Sequence, residues 1–328
     1  MRLAAAVLVG FMPALALGVL SPPPAEAQAA GKVPRIGIVA FGSCAGSAES
    51  AFAAGLRDLG YAEGKNVVVE CRSAGQRYER LPEAAAELVR LRVDVIAALN
   101  HPGARAAQEA TSTIPIVMVA SGDPVAAGFV ASLSRPGGNM TGLSYYATEL
   151  TAKRLELLKE MAPKIGRVAV LANPYVAYFP FLDDTKRAAR ALGLRLQILE
   201  VSDPGDLDRA FGTMARERAD ALFVLPDLMF SRQSKQIADL ALRHRLPMMS
   251  WGGWFAETGG LMAYSADYAK LSRRAAAYAH KILTGARPGD LPVEQPTTFS
   301  LVINLKTAKA LGLAIPPSLL LRADRVIE

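Results

Sequence analysis

The 328-residue sequence has few of the side chains from which metal and redox centres are built. It contains two cysteines and three histidines, and none of them has the close spacing of a metal site such as Cys-x-x-Cys. Common catalytic and nucleotide-binding signatures are also absent, among them Gly-x-Ser-x-Gly, His-Glu-x-x-His, the Walker loop and Gly-x-Gly-x-x-Gly after the first predicted strand. The sequence therefore predicts a protein with no metal and no other cofactor.

Long apolar runs are absent beyond residue 30. Residues 3–20 form such a run, with Arg2 before it and three prolines and then Ala25-Glu26-Ala27 after it. This arrangement is typical of a secretory signal with a small-x-small cleavage site, so we expect residues 1–27 to be removed and the mature chain to be periplasmic. The alternative is an uncleaved membrane anchor, because the run is nearly long enough to span a bilayer. Pro13 and the cleavage site favour removal.

A concentrated basic segment is also missing, although the formal net charge is +7. A basic balance raises the question of a nucleic acid or an anionic membrane surface as partner. The Lys and Arg residues are instead spread among Ala and Leu in predicted helices, as in residues 186–190, without interleaved aromatic residues. Solvated helix faces explain this pattern better, so we expect no nucleic-acid partner.

What the sequence does contain is a regular alternation of apolar strands and helices. Residues 114–124, IPIVMVASGDP, are an apolar run closed by turn residues, which is typical of a strand buried on both faces of a parallel sheet. Strand and helix alternate four times up to residues 134–142, where turn residues interrupt the rhythm, and the alternation then restarts. The sequence thus predicts an α/β protein of two doubly wound parallel-sheet lobes with a cleft between them.

The predicted elements follow this alternation. The predicted strands are 35–41, 67–71, 93–99, 114–120, 167–172, 195–200, 221–225, 247–251, 261–265 and 299–303. The predicted helices are 48–59, 80–91, 104–110, 150–161, 183–192, 206–216, 231–244, 268–283 and 305–311, with a last helical piece after Pro317. We expect lobe boundaries at 32–142 and 143–265, with a return to the first lobe at 266–290; no lobe can be derived for 291–328.

The loops at the carboxyl ends of the strands are the candidate binding surface. Ligands of parallel sheets bind there, and small polar residues and helix N-terminal amides favour an anion. Asp123 and Asp227 could accept hydrogen bonds from an ammonium group, although Asp123 could equally cap the turn after it. For each aromatic residue the alternative to ligand stacking is packing in the core or at the rim. The candidate ligand-binding residues are Ser43, Asn100, His101, Ser121, Asp123, Thr141, Tyr145, Asn173, Tyr175, Asp227, Trp251 and Tyr264.

Catalysis finds little support in these residues. His101 at a strand end is the best single candidate for a general base, but neither a nucleophile nor an orienting acid can be assigned to it. A two-lobed racemase would use one cysteine from each lobe as paired acid and base. Both Cys44 and Cys71 fall in the first predicted lobe. We therefore expect no enzymatic activity.

The two cysteines follow or end neighbouring predicted strands. Export to an oxidising compartment permits a disulfide between Cys44 and Cys71, and a bridge across adjacent strand ends is geometrically plausible. The alternative is two free, buried thiols. The sequence does not decide between them.

Short segments in a fixed order along the chain resemble the exported substrate-binding proteins of ABC importers, in a branch that includes binders of tryptophan and other aromatic amino acids. No single segment is specific, but the ordered set runs from about residue 35 to 328. The segments are 57–66 (RDLGYAEGKN), 78–82 (YERLP), 113–117 (TIPIV), 122–125 (GDPV), 134–139 (SRPGGN), 141–142 (TG), 153–158 (KRLELL), 173–174 (NP), 243–247 (RHRLP), 295–296 (QP) and 304–308 (NLKTA).

The resemblance implies a type I periplasmic-binding fold, in which a three-strand hinge joins two lobes. It implies a monomer that closes on a small-molecule ligand without chemistry, and partners that are a permease in the inner membrane and its cytoplasmic ATPase. The leading hypothesis is thus a binding protein for importing an amino acid or another small carboxylate. The main alternative is an exported sensory module that presents its closed lobes to a receptor, and a hydrolase or racemase is a distant third.

Overall fold

The predicted alternation of strands and helices folds into two sheets. The computed structural model describes residues 32–120, 122–145, 148–177 and 181–328, so the predicted signal segment 1–27 and the candidate Ser121 lie outside the described residues. Among the described residues, no helix combines the length and the apolar character that crossing a bilayer requires.

The first sheet has five parallel strands. Val95, Ile96, Ile116 and Val117 in its middle strands have no exposed surface, as expected where helices cover both faces of a parallel sheet. The strands are β1 (Arg35–Ala40), β2 (Val68–Ser73), β3 (Val95–Ala98), β4 (Ile116–Ala120) and β5 (Met140–Ser144). Their order across the sheet is β2-β1-β3-β4-β5.

The second sheet has seven strands and is parallel except at one pair. The strands are β6 (Arg167–Ala172), β7 (Arg195–Glu200), β8 (Ala221–Val224), β9 (Met248–Ser250), β10 (Met262–Ala266), β11 (Phe299–Asn304) and β12 (Arg325–Ile327). Their order is β12-β11-β10-β9-β8-β6-β7, and β11 runs antiparallel to β10. The sequence did not predict β12, because three residues after a helix carry too short an apolar pattern.

The helices fill the connections between strands. They are α1 (Ser47–Asp58), α2 (Leu81–Arg90), α3 (His101–Ala110), α4 (Thr148–Met161), α5 (Pro174–Ala177), α6 (Phe181–Ala191), α7 (Leu207–Arg216), α8 (Leu228–Arg232), α9 (Ser234–Arg243), α10 (Gly253–Glu257), α11 (Tyr268–Leu283), α12 (Leu305–Leu311) and α13 (Pro317–Arg322). Gly312, with φ of 71°, ends α12 in the left-handed conformation that glycine tolerates.

Four helical segments differ from the sequence prediction. Helix α3 begins at His101 rather than at residue 104, because the Asn100 side chain accepts a hydrogen bond from the backbone N–H of Gly103 and caps it. The helix predicted over 231–244 is two helices, α8 and α9, which meet at Gln233. The short helices α5 and α10 occupy segments predicted as loops.

The chain passes between the two sheets three times. It leaves the first sheet after β5 and leaves the second after β10; α11 then packs against α1 and against strands β3 to β5 of the first sheet. The third passage leads into β11, after Glu294 pairs with Leu143 of β5. The C-terminal segment, to which no lobe was assigned, thus adds β11 and β12 to the second sheet. The exact lobe boundaries stay a prediction.

In the structure, Cys44 and Cys71 form a disulfide bond. It ties the loop after β1 to strand β2, next to β1 in the sheet. The loop that it closes spans 27 residues of sequence separation, so the bond limits the freedom of the unfolded chain.

Replacing both cysteines, Cys44→Ser with Cys71→Ser, should lower the free energy of unfolding by about 2–4 kcal/mol, because the unfolded chain regains the entropy of an open loop. Urea denaturation of the variant and the oxidised wild type measures the difference. Reduced wild type is the matched control and should lose a similar amount. Two alkylatable thiols in non-reducing peptide maps of the exported protein would contradict the bond.

Candidate functional site

Loops at the carboxyl ends of strands from both sheets face each other across a cleft. The parallel strands β1, β3, β8 and β9 end at this cleft, and the residues that follow them line it. A cavity of about 310 Å³ is lined by Phe41, Gly42, Gly46, Ser47, Ala48, Glu49, Leu99, Asn100, Leu228, Ser231, Arg232, Trp251, Trp254 and Tyr268. A second cavity of about 440 Å³ shares Phe41 and Arg232 with the first and includes Tyr78 and Tyr175. A pocket of about 20 Å³ holds His101, Tyr145 and Asp227.

A hydrogen bond joins the two lobes beside these cavities. The hydroxyl of Tyr78, which follows β2, donates to Oδ2 of Asp227, which follows β8, at 2.7 Å. Oδ1 of Asp227 accepts from the backbone N–H of Phe230 at 2.8 Å and caps α8. Both carboxyl oxygens of Asp227 therefore accept hydrogen bonds from the protein itself. The sequence had suggested that they bind the ammonium group of a ligand.

The buried setting of this pair shifts the pKa of both groups. Burial raises the pKa of the Asp227 carboxyl, and the Phe230 N–H and the Tyr78 hydroxyl oppose that rise. Burial and the neighbouring Asp227 charge raise the pKa of Tyr78. Tyr78 consequently keeps its proton and remains the donor at neutral pH.

Aromatic rings form much of the cleft wall. Tyr145 stacks on Trp251 with ring centroids 6.2 Å apart and an interplanar angle of 11°, and it meets Tyr268 edge-on at 5.5 Å. Trp254 meets Trp251 edge-on at 4.9 Å. Rings arranged in this way suit a ligand with a flat or apolar part.

The 310 Å³ cavity also holds one acidic and one basic side chain. Glu49 lies in the first turn of α1 and is only 9% exposed. Burial raises the pKa of its carboxyl, an effect that the nearby charge of Arg232 opposes. Arg232 is the last residue of α8, in the second lobe. The cavity therefore presents opposite charges from opposite lobes.

Six of the predicted residues line these cavities. Asn100 borders both the 310 Å³ cavity and the small pocket, and Trp251 does the same. Tyr175, which is 60% exposed, lines the 440 Å³ cavity and stacks on Tyr78 with centroids 5.7 Å apart. The others, His101, Tyr145 and Asp227, lie in the small pocket.

Two predicted residues near the cleft make local hydrogen bonds instead. Ser43 is exposed and accepts from the backbone N–H of Ala45 at 3.1 Å, while its neighbour Gly42 lines the cavity. Asp123 accepts from the backbone N–H groups of Val125 and Ala126. Asp123 therefore caps the turn that follows it, which was the alternative to ligand binding. Neither Ser43 nor Asp123 lines any of the three cavities.

Three further predicted residues lie behind the cavities. Thr141 donates to the carbonyl of Leu291 at 2.6 Å. Asn173 accepts from the backbone N–H of Tyr175, and its side chain helps to lower the pKa of Asp227. The carbonyl of Tyr264 accepts from Nε of Arg154, whose pKa burial lowers to about 10. None of the three lines these cavities.

Sequence reasoning missed several residues of the cavity walls. Tyr78 follows β2, a strand end that was not among the loops considered. Glu49 lies beyond the predicted loop, in the first turn of α1, which lines the same cavity. Arg232 was hidden in the helix predicted over 231–244. The missed wall residues are Phe41, Glu49, Tyr78, Arg232, Trp254 and Tyr268.

This two-lobed arrangement has known relatives. Residues 36–327 match the family described as ABC transporter substrate binding protein. The chain belongs to this family. It is also 30% identical over 267 residues to a "Tyrosine-binding protein" of Clostridioides difficile (strain R20291). The aligned residues cover 81% of this chain and 76% of the relative.

Solved structures agree with this assignment to the family and its type I periplasmic-binding fold. A conserved domain protein from Vibrio cholerae matches with a TM-score of 0.84 and 28% identity over 90% of this chain and 100% of that one. A domain from Streptococcus pneumoniae in complex with L-Trp matches at 0.82 and 25% identity, over 90% and 99%. A ligand-free, open substrate-binding protein from Clostridium difficile matches at 0.66 and 27% identity, again over 90% and 99%. The TM-score is thus higher against the L-Trp complex than against the ligand-free, open relative.

The Tyr78–Asp227 contact leads to a pH-dependent prediction. Tyr78→Phe should lower the free energy of unfolding by about 1–3 kcal/mol at neutral pH, because a buried carboxylate loses a donor. The folded-state pKa of Asp227, already raised, then rises further. A raised carboxyl pKa costs stability as pH rises from the unfolded-state pKa through the folded-state pKa. The loss should therefore grow between acidic and neutral pH.

Urea denaturation of Tyr78→Phe and wild type at several pH values measures this loss. Tyr268→Phe is the matched control, because the Tyr268 hydroxyl donates to the neutral carbonyl of Leu99. Its effect should not vary with pH over the same range. A Tyr78→Phe loss that is equally independent of pH would rule out the pairing with an ionised Asp227.

Proposed function

We propose that this chain is the exported binding protein of an ABC importer. It captures an amino acid or another small carboxylate between its lobes and delivers it to a permease in the inner membrane that a cytoplasmic ATPase drives. The observation that carries the proposal is the aromatic-lined cavity between the two lobes, with one acidic and one basic side chain in its wall. Two relatives support the ligand class, since one is named for tyrosine and another was solved with L-Trp.

The hinge supplies the mechanism of capture. Three passages of the chain join the lobes, so the lobes rotate about a narrow connection while each sheet stays rigid. The Tyr78–Asp227 hydrogen bond forms only when the strand-end loops of both lobes approach each other. The permease then distinguishes the closed lobes from the open ones by their relative orientation.

The setting of His101 supports binding without chemistry. His101 has no exposed surface, and its ring lies against Phe129 with centroids 4.8 Å apart. A general base must reach the proton that it removes, and here the imidazole has no exposed surface and borders a pocket of only about 20 Å³. We propose that His101 shapes the floor of the small pocket.

A thermal-shift screen of the purified protein against amino acids, aromatic acids, dicarboxylates and sugars tests the ligand class. A ligand that binds only the folded protein adds about 2.7 kcal/mol at one hundred times its dissociation constant, which raises the melting temperature. We expect a rise with an amino acid or another carboxylate. The protein is unfolded and refolded first, so that a copurified ligand does not occupy the cleft.

The variants Trp254→Ala and Leu321→Ala separate binding in the cleft from binding elsewhere. Trp254 lines the cavity, whereas Leu321 is 88% exposed and lies on α13. The first should reduce the shift and the second should leave it unchanged. A rise with sugars alone would refute the carboxylate class, and a blank for every compound would refute ligand capture.

Uptake measurements separate the importer from the sensory alternative. Deleting the gene should abolish uptake of the radiolabelled hit at concentrations near its dissociation constant, and expression of the wild-type chain should restore it. Normal uptake in the deletion strain would favour a sensory module.

A further inference from the structure

Glu49 is a buried acid whose partner is not found among the described residues. It is 9% exposed, and it forms no ion pair or side-chain hydrogen bond with another described residue. Its own backbone N–H and the nearby charge of Arg232 only oppose the rise in its pKa that burial causes. The carboxyl lies against the loop before α1, where a Cβ at Gly46 would clash with Oε2. A buried carboxylate that no cation contacts directly is costly, so this position in the cavity wall suits a cationic group of a ligand.

Arg232 faces the same cavity from the second lobe. Its guanidinium reaches the loop after β1, where a Cβ at Gly42 would clash with Nη2. Because Gly42 has no side chain, the Arg232 guanidinium fits against the loop at this point. Arg232 forms no ion pair or hydrogen bond with any described residue, and none of the ion pairs in that part of the chain joins it to Glu49. The guanidinium is therefore available to an anion in the cavity.

The wall near Arg232 holds further donors. Trp251 and Trp254 both line the cavity, and the buried indole N–H of each finds no acceptor among the described residues. A buried donor without an acceptor is unfavourable. Donors are thus concentrated on the second-lobe wall, whereas the acceptor Glu49 lies on the first-lobe wall.

We propose that Glu49 and Arg232 together select an amino acid zwitterion, with Glu49 binding its ammonium group and Arg232 its carboxylate. This inference rests on the proposed function and narrows its ligand class. An acid without an amine would leave Glu49 unpaired and would add a second negative charge beside it. An amine without a carboxylate would leave Arg232 unpaired. A zwitterion neutralises both walls at once and so bridges the two lobes.

Matched probes test whether both charges are needed. The twenty common L-amino acids are first compared by thermal shift, and the strongest is titrated by calorimetry beside its desamino acid and its decarboxylated amine. For L-tyrosine these are 3-(4-hydroxyphenyl)propionate and tyramine. We expect the amino acid to bind at least tenfold more tightly than either derivative. Equal binding of the desamino acid would overturn the inference.

Charge-removing variants assign the two charges to the two residues. Glu49→Gln should weaken binding of the amino acid at least tenfold and bring its affinity within threefold of that of the desamino acid. Arg232→Gln should remove the preference over the amine instead. The controls Glu109→Gln and Arg195→Gln make the same changes at exposed positions away from the cavities and should bind like wild type.

The outcomes separate this inference from the proposed function. Retained preference for the amino acid in Glu49→Gln, with the fold intact by circular dichroism, would refute the role of Glu49. Binding of an organic acid or a sugar but of no amino acid would refute the zwitterion and leave ligand capture standing. Absence of binding by every compound would refute both.

Discussion

The hydrogen bond between Tyr78 and Asp227 connects the two lobes across the cleft. It is 2.7 Å long, its acceptor Asp227 is buried, and the same carboxyl also caps α8. Closure of the lobes, the start of α8 and the position of Arg232 at the end of that helix are therefore linked. A shift of the second lobe that breaks this contact also withdraws the guanidinium from the first-lobe loop.

The cleft combines two requirements that rarely coincide on one lobe. An apolar ligand part needs aromatic walls, and Trp251, Trp254 and Tyr268 supply them. A charged ligand part needs charged groups in the wall, and Glu49 and Arg232 line the cavity from opposite lobes. Because each lobe contributes one charge, neither lobe alone completes the site. In the proposed function, capture therefore requires closure, and closure is the change that a transport partner would detect.

Much of the fold followed from local patterns. The buried apolar runs of β3 and β4 predicted parallel strands. The predicted bounds of α11 and α12 are those of the structure. The site followed only in part. Asn100, Trp251 and Asp227 were found because they directly follow strands whose ends meet at one edge of a sheet. Ser43 and Asp123 also follow strands, but their side chains accept hydrogen bonds from backbone N–H groups of their own loops.

The sequence by itself determined the strand and helix alternation, hence two doubly wound lobes, because burial on a parallel sheet imposes long apolar runs that are visible locally. It also determined which strand ends were candidates for a site. Tertiary structure alone decided which side chains meet across the cleft. Tyr78 and Asp227, or Glu49 and Arg232, are separated by well over one hundred residues, and no local pattern specifies how two lobes joined by a hinge face one another.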